Sequence, residues 1–251
     1  TQIYGVELDS ISGRIAKKLY PDADIQIKGF EKTDFQTGSF DMAVGNVPFG
    51  DLGFFDKEYG TKQLHDYFFA KTLDKVKEGG IVAFVTSTGT LDKANEDFRK
   101  QLSEKADLIG AIRMPSGTFS KNAGTDVTSD IIFLQKRSEP PVIEPEWVHI
   151  GETDTGLPIN QYFSEHPDMV LGEMVEGNKM YGHGTMCVPI EGADLKEQLK
   201  EAVSKLSATI SDVKANDVYP KIDGLQVTPP EELRNFSLFE QNHKIYFKTT
   251  D

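Results

Sequence analysis

The chain has 251 residues, 38% hydrophobic, 27% charged and 10% aromatic, with 27 basic and 40 acidic side chains giving a net charge of −13. At about 150 residues per domain this length allows one large domain, or one domain with an appendage, and the composition excludes a disordered tail or a fibrous repeat. The single Cys187 cannot close an internal disulfide, the start Thr1-Gln2-Ile3-Tyr4 has no basic stretch followed by an apolar one, and runs such as Ile81–Val85 are too short to span a bilayer. A cytoplasmic protein with no membrane partner is therefore expected.

In chain order, Ile3–Leu8 reads as a strand. Ser10 is placed to cap a helix whose Ile11, Ile15 and Leu19 recur at i, i+4 and i+8 before Pro21 stops it. Asp24–Lys28 and Phe40–Gly45 are further strands, the latter followed by a loop with Gly and Pro that runs to Lys62. Gln63–Lys77 fits a helix with Leu64, Phe68 and Leu73 inward, ended by Gly79-Gly80 ahead of the apolar strand Ile81–Val85. A helix over Ala94–Lys105 leads to a strand at Leu108–Arg113, and Val127–Lys136 reads as the last strand of the series. Short β-branched runs alternating with helical stretches predict an α/β fold with parallel strands and crossover helices over residues 1–138.

Ser138-Glu139-Pro140-Pro141 punctuates the chain, and residues 139–251 read as a C-terminal, partly helical appendage. Its clearest feature is an amphipathic helix over 194–213, in which Leu195, Leu199, Val203, Leu206 and Ile210 keep one stripe. Ordinary domain packing explains that stripe better than a coiled coil, which sustains more heptads. Residues 214–251 read as a mixed loop with a closing strand at Lys244–Lys248.

Ligands of open parallel sheets bind outside the carboxyl ends of the strands. Three features lie there: Glu7 near the end of the first strand, Asp34-Phe35 after the second, and Asn46-Val47-Pro48-Phe49 after the third. A carboxylate ending a strand can accept both hydroxyls of a ribose, and one beside an aromatic ring can accept from an adenine amino group while the ring packs on the base. In a chain with 40 acids, each also reads as an ordinary exposed carboxylate.

The Asn46 segment matches one chemical problem. An exocyclic amine on a base is a poor nucleophile because its lone pair is delocalised into the ring. Two acceptors, the Asn46 side-chain oxygen and the Val47 carbonyl, could hold its two hydrogens and direct the lone pair outward. Pro48 stiffens the turn, and Phe49 offers a face to a base drawn out of its stack. This chemistry requires neither metal nor covalent nucleophile, and the five histidines have no metal-ligand spacing with Cys187. His65 beside Asp66 reads as a packed or capping residue, Gly182-His183-Gly184 as a loop, and Arg113, Lys121 and Arg137 as a sparse basic rim.

Gly5-Val6-Glu7-Leu8-Asp9, Asp34-Phe35 and Asn46-Val47-Pro48-Phe49, in that order, resemble the S-adenosylmethionine-dependent N6-adenine DNA methyltransferases whose catalytic motif is Asn-Pro-Pro-Tyr/Phe. The likeness extends through Leu64–Phe69, Gly79-Gly80, Leu108–Pro115 and Thr128–Lys136, and covers about residues 1–190. More narrowly, the chain is similar to the methylase portion of large mobile-element polypeptides that join a methylase to a helicase. The resemblance implies a Rossmann-like class I methyltransferase sheet and S-adenosyl-L-methionine as cofactor. It also implies DNA containing adenine as a partner, and further domains of a longer polypeptide.

By that likeness Glu7 holds the cofactor ribose, Asp34 its adenine amino group and Phe35 the adenine ring. Asn46, Val47, Pro48 and Phe49 form the catalytic corner, with Phe49 against the target base; apart from the likeness, Phe119 in the Gly117-Thr118-Phe119 loop is a candidate to cover the other face of that base, core packing being the more frequent role of a lone Phe. Two departures stand out. Val47 occupies a usual Pro position, restoring a backbone donor and loosening the turn. The strand and glycine-rich turn that family members carry ahead of the strand matching Ile3–Leu8 are not in the sequence as read, so the sheet is expected to lack its first strand. A non-catalytic methylase-like scaffold or DNA-docking module within a larger helicase-like protein is the alternative, and the same motif class also serves enzymes acting on RNA bases and protein glutamine.

Overall fold

A computed structural model describes residues 2–48, 56, 58–60, 63–119, 127–179, 182–208, 238–241 and 244–247. The chain divides into two compact units, Thr1–Ile210 and Ser211–Asp251. No described helix is long and apolar enough to cross a membrane.

The first unit begins with strands β1 (Tyr4–Glu7) and β2 (Asp24–Ile27), which pair in parallel with Glu7 opposite Ile27. The crossover between them is helix α1 (Ser10–Leu19). Its cap is Asp9, not Ser10: the Asp9 carboxylate accepts from the amides of Ile11 (3.1 Å) and Ser12 (2.7 Å). Ser10 is thereby the first helical residue. Nor does the stripe of Ile11, Ile15 and Leu19 face the sheet; these side chains are 59%, 54% and 67% exposed. The helix lies against β2 through Gly13 instead, where a methyl group would fall 2.7 Å from Ile27 Cγ1. A helix seated on a glycine comes close enough to its strand to be held there without its large apolar residues.

The second sheet has the order β3-β4-β6-β5, formed by β3 (Phe40–Asn46), β4 (Val76–Ser87), β5 (Ala106–Met114) and β6 (Ser129–Lys136). Strands β3 and β4 are parallel, and β6 runs antiparallel to both β4 and β5. The carboxyl ends of β3, β4 and β5 therefore share one rim, with the start of β6 among them. The α/β class read from the sequence is thus present, with a mixed sheet in place of an all-parallel one.

Helix α2 (Leu64–Lys75) ends two residues earlier than its pattern predicts. The Gly79-Gly80 pair lies inside β4, not between helix and strand. Pairing starts with Phe40 opposite Val76, resumes with Met42 opposite Ile81 after β4 has gained three residues, and Gly79 takes φ +72° at that irregularity. Short helix α3 (Gly89–Asp92) precedes α4 (Asp97–Lys105), which starts three residues later than expected, after Asn95 accepts from the Asp97 amide at 2.8 Å. Phe69, Leu73, Val82, Leu91, Ile112, Ile132 and Leu134 form the centre of the core.

Residues 139–210 belong to the same compact unit, so the boundary expected at 138/139 falls within it. Their elements are β7 (Ile150–Glu152), β8 (Pro158–Asn160), α5 (Gln161–Glu165), β9 (Glu173–Lys179), β10 (Gly182–Val188) and α6 (Leu195–Ser204). Gly182-His183-Gly184, expected as a loop, pairs with β9 as part of β10. Trp147, Phe163, Met169 and Leu171 join the core of the sheet.

Helix α6 stops at Ser204, where Lys205 closes it. Leu195, Leu199 and Leu206 pack on the core, and Val203 is about half exposed. Positions 209–213 of the expected helix lie outside the described residues. In the second unit, β11 (Leu238–Gln241) and β12 (Lys244–Phe247) form an antiparallel pair, the latter at the expected closing strand, whose last residue Lys248 lies outside the described residues.

Candidate active site

Asn46 is the last residue of β3, paired opposite Val85 and exposed at the rim. Val47 continues the ladder: its amide donates to the Val85 carbonyl at 3.1 Å, and its side chain is buried in the core. The extra donor that valine supplies is therefore used. A proline could not make this bond, so at this position valine tightens the corner where loosening was expected. Pro48 follows in an exposed position, and Phe49 lies outside the described residues.

Glu7 ends β1. One of its carboxylate oxygens accepts from the Asp9 amide at 2.8 Å, which fixes the side chain beside the start of α1. Asp9 in turn has its pKa held below the usual carboxylate value, first by the bond from Ser12 and then by that from Ile11 and the charge of Arg14.

Asp34 follows a single turn of 3-10 helix (Phe30–Lys32) beyond β2. Its side chain is 93% exposed, with Lys28 Nζ at 3.8 Å. Phe35 is half-buried, edge-on to Tyr4 (centroids 6.1 Å) and to Phe40 (5.1 Å), while Tyr4 meets Phe40 at 5.3 Å. These rings join the starts of β1 and β3, so Phe35 is fixed where the two sheets meet at that end. The Phe35 ring thus packs on the residues that begin β1 and β3, not at the carboxyl ends where the sequence reading put it with Glu7 and Asn46. No ladder connects β1 to β3 among the described residues.

Phe119 is half-buried in the turn after β5, five residues beyond Met114. It sits on the rim that carries Asn46, three strand positions away in the order β3-β4-β6-β5, or about 14 Å at ordinary strand spacing.

Two members of the expected basic rim, Arg113 and Arg137, are paired with carboxylates. Arg113 is fully buried, its guanidinium bonded to Asp130 through Nε (2.8 Å) and Nη2 (2.9 Å) and to Asp92 through Nη1 (2.8 Å), with Phe163 beneath it at 4.4 Å. Burial opposes that charge, but Asp130 and Asp92 outweigh it and raise the pKa further. Arg137 is paired with Asp107, and Lys121 lies outside the described residues.

Two residues that motif reading did not single out lie on α2. Asp66, in the first turn, is buried with His65 Nε2 at 3.3 Å, and burial lifts its pKa to about 6 against the pull of Lys93. Lys71 is 4% exposed and donates to the Phe30 carbonyl at 2.8 Å, across 41 residues of sequence. Its only signal in the sequence is a position one helical turn after Tyr67 on an otherwise inward-facing stretch.

Residues 20–119 match the model of the Eco57I restriction-modification methylase family, so this part of the α/β unit, including Asp34, Phe35 and the Asn46 corner, is similar to restriction-modification methylases. At the level of a single protein, the chain is 37% identical over 193 residues to the Defense against restriction protein B of Escherichia phage P1. That alignment covers 74% of this chain and 8% of the phage protein, so the chain spans a small part of its relative's length.

Among solved structures, similarity is found to a modification subunit assigned to a type I restriction enzyme of Vibrio vulnificus YJ016. It has 21% identity and a TM-score of 0.46, and covers 66% of this chain and 40% of that one. The EcoKI M protein of a type I restriction enzyme is similar at 19% identity and a TM-score of 0.45, covering 53% of this chain and 31% of that one.

Proposed function

We propose that the first unit is a DNA adenine-N6 methyltransferase domain that moves a methyl group from S-adenosylmethionine to the exocyclic amine of an adenine drawn out of its helix. The observation that carries this reading is the corner at the tip of β3. Asn46 is exposed at the rim, while the next amide is tied back to Val85 and its side chain is sunk in the core. A polar side chain on an anchored corner keeps its aim, which is what positioning catalysis requires.

The residues present suit the cofactor by the chemistry of their acceptors. Glu7 is an acceptor for the ribose hydroxyls, Asp34 for the adenine amino group, and Phe35 offers the remainder of its ring to that base. When bound, S-adenosylmethionine supplies an electrophilic methyl carbon on a sulfonium. Asn46 and the Val47 carbonyl accept the two amine hydrogens and turn the nitrogen lone pair outward. The nitrogen would thereby face the methyl carbon that the cofactor would supply, and the amine proton left in surplus would pass to solvent. Phe49, the next residue but two after Asn46, offers a face to the extruded base.

The family match over residues 20–119 and the phage relative support this reading, and the relative's much greater length supports a place for the domain among other segments or partners that meet the DNA. The net charge of −13 makes such help necessary, because the acidic body repels phosphate at long range.

The test is tritium transfer from labelled S-adenosylmethionine to adenine-containing DNA by a polypeptide that includes this chain. Asn46→Ala is expected to lower turnover by about 100-fold or more, the scale for removing one preorganised hydrogen-bonding group, with an unchanged circular dichroism spectrum. Unaltered turnover in that variant would remove the role given to Asn46.

A further inference from the structure

The segment from Phe30 to Phe35 carries the two residues assigned to the cofactor's adenine, and it is anchored at both ends. At the far end, Phe35 is wedged between Tyr4 and Phe40. At the near end, the Phe30 carbonyl accepts three hydrogen bonds: from Lys71 Nζ at 2.8 Å, Thr33 Oγ1 at 2.7 Å and the Thr33 amide at 3.2 Å. Two of these are internal to the turn. Among the described residues, only the Lys71 bond ties this carbonyl to another element.

The ammonium group is itself held firmly. It lies 5.0 Å from the Phe30 ring centroid and 5.7 Å from that of Tyr67, whose hydroxyl donates to Asp56 at 3.2 Å. Phe30 stacks on Phe68 at 5.1 Å with the rings 25° apart. Burial draws the Lys71 pKa below the usual lysine value, with Asp56 resisting, Lys75 adding to it, and Glu58 and Glu31 also resisting. A buried cation is costly, and its place here is explained by the one strong acceptor and two π faces it meets.

We propose that Lys71 is a positioning residue for cofactor binding: by gripping the Phe30 carbonyl between two aromatic faces, it sets the Phe30–Phe35 corner so that the Asp34 carboxylate and the Phe35 ring stand where an adenine can meet both. The inference rests on the methyltransferase reading and deepens it. Asp34, 93% exposed, has no packing of its own to hold it, so its direction depends on the backbone that Lys71 restrains.

The test compares wild type, Lys71→Met, Lys71→Arg and Thr33→Val in the same polypeptide, by calorimetric titration with S-adenosylmethionine, steady-state methylation and amide hydrogen exchange. Lys71→Met keeps the stem and removes the charge. It is expected to raise the cofactor Kd and KM by roughly 10- to 100-fold, the range for losing a charged hydrogen bond, with kcat at saturation within about twofold, because the Asn46 corner is untouched.

Lys71→Arg is expected to restore most of the affinity. Amides of residues 31–35 are expected to exchange faster in Lys71→Met, and those of Val82–Val85 at the wild-type rate. If Lys71→Met does not fold, Lys71→Gln, which leaves only a shorter, neutral donor near the same carbonyl, decides: a Kd raised about threefold or more supports the inference, and an unchanged one overturns it, with Thr33→Val, whose bonds are internal to the turn, as the control. Wild-type Kd and exchange in a folded Lys71→Met variant overturn the inference and leave the methyltransferase reading standing. A wild-type protein that neither binds the cofactor nor methylates removes that reading and the inference with it.

Discussion

Asp66 shows how one buried side chain gives the molecule a pH signature. Its pKa in the fold is about 6, lifted by burial from 3.8. The folded state therefore holds this proton more tightly than the unfolded chain does. The contribution to stability is fully present below pH 4, declines as pH rises to about 6, and is flat above that. A difference of that size is worth up to about 3 kcal/mol. Asp66→Asn is expected to remove this slope and to raise stability at pH 7 by about 1–3 kcal/mol. Urea midpoints collected from pH 4 to 7 check it; parallel profiles for wild type and variant would count against it.

At this scale the sequence was most readable where the chemistry is local. Asn46 ends its strand in the structure as in the reading, because a strand end is written in consecutive residues. What Val47 does there was not readable, since its amide partner, Val85, is 38 positions away. Lys71 was missed for the same reason: a lysine in a helix gives no sign that its ammonium will meet a carbonyl from another element.

Among the elements, strand and helix types were read correctly through the sheet, and two of the errors fall at positions where glycine governs contact. The Ile11, Ile15 and Leu19 stripe has the period of a core-facing helix, yet Gly13 is the residue that touches β2. Periodicity reports a face able to be buried, not the surface available to bury it. The Gly79-Gly80 pair resembles a helix stop, but Val76 already pairs with Phe40 and the strand passes through both glycines.

This placement is testable. A methyl group on Gly80 would lie 2.3 Å from Val76 Cγ1 and 2.9 Å from the Asp41 and Lys77 carbonyl oxygens. Gly80→Ala is expected to destabilise the fold by about 1–3 kcal/mol, the usual cost of crowding that cannot relax, read as a lower denaturant midpoint. The same change in a true helix-ending loop would be close to neutral.

For the first unit as a whole, the decisive feature is how residues 139–210 close over the sheet. Arg99 donates to the Val148 carbonyl at 2.6 Å, and Asn160 accepts nothing less than a complete set of partners: its amide nitrogen reaches the carbonyls of Leu91 and Trp147 at 2.9 Å, and its backbone amide reaches Asp92 at 2.9 Å. Asp92 also meets Arg113, which in turn sits over Phe163. The punctuating prolines at 140–141 suggested a domain border. The bonds from Arg99 to Val148 and from Asn160 to Leu91 and Asp92, between residues 49 to 69 positions apart, carry the opposite information and leave no trace in local composition. Arg113→Met is expected to strand Asp130 without its partner and to cost about 3–5 kcal/mol, seen as a lower melting temperature of the whole first unit in one transition. Separate melting of residues 139–210 would contradict this account.

The outward stripe of α1 has a counterpart on β3, where Met42 and Val44 are 57% and 70% exposed, and the facing edges of β1 and β3 have no ladder neighbour among the described residues. In water, such surfaces attract one another more strongly as temperature rises, because apolar association near 25 °C is driven by solvent entropy. The net charge of −13 opposes this by mutual repulsion, and salt weakens that repulsion. Colloidal behaviour is thus set by a contest between warmth and dilution of the buffer: cool, low-salt solutions keep the molecules apart, and warm, salty ones bring them together.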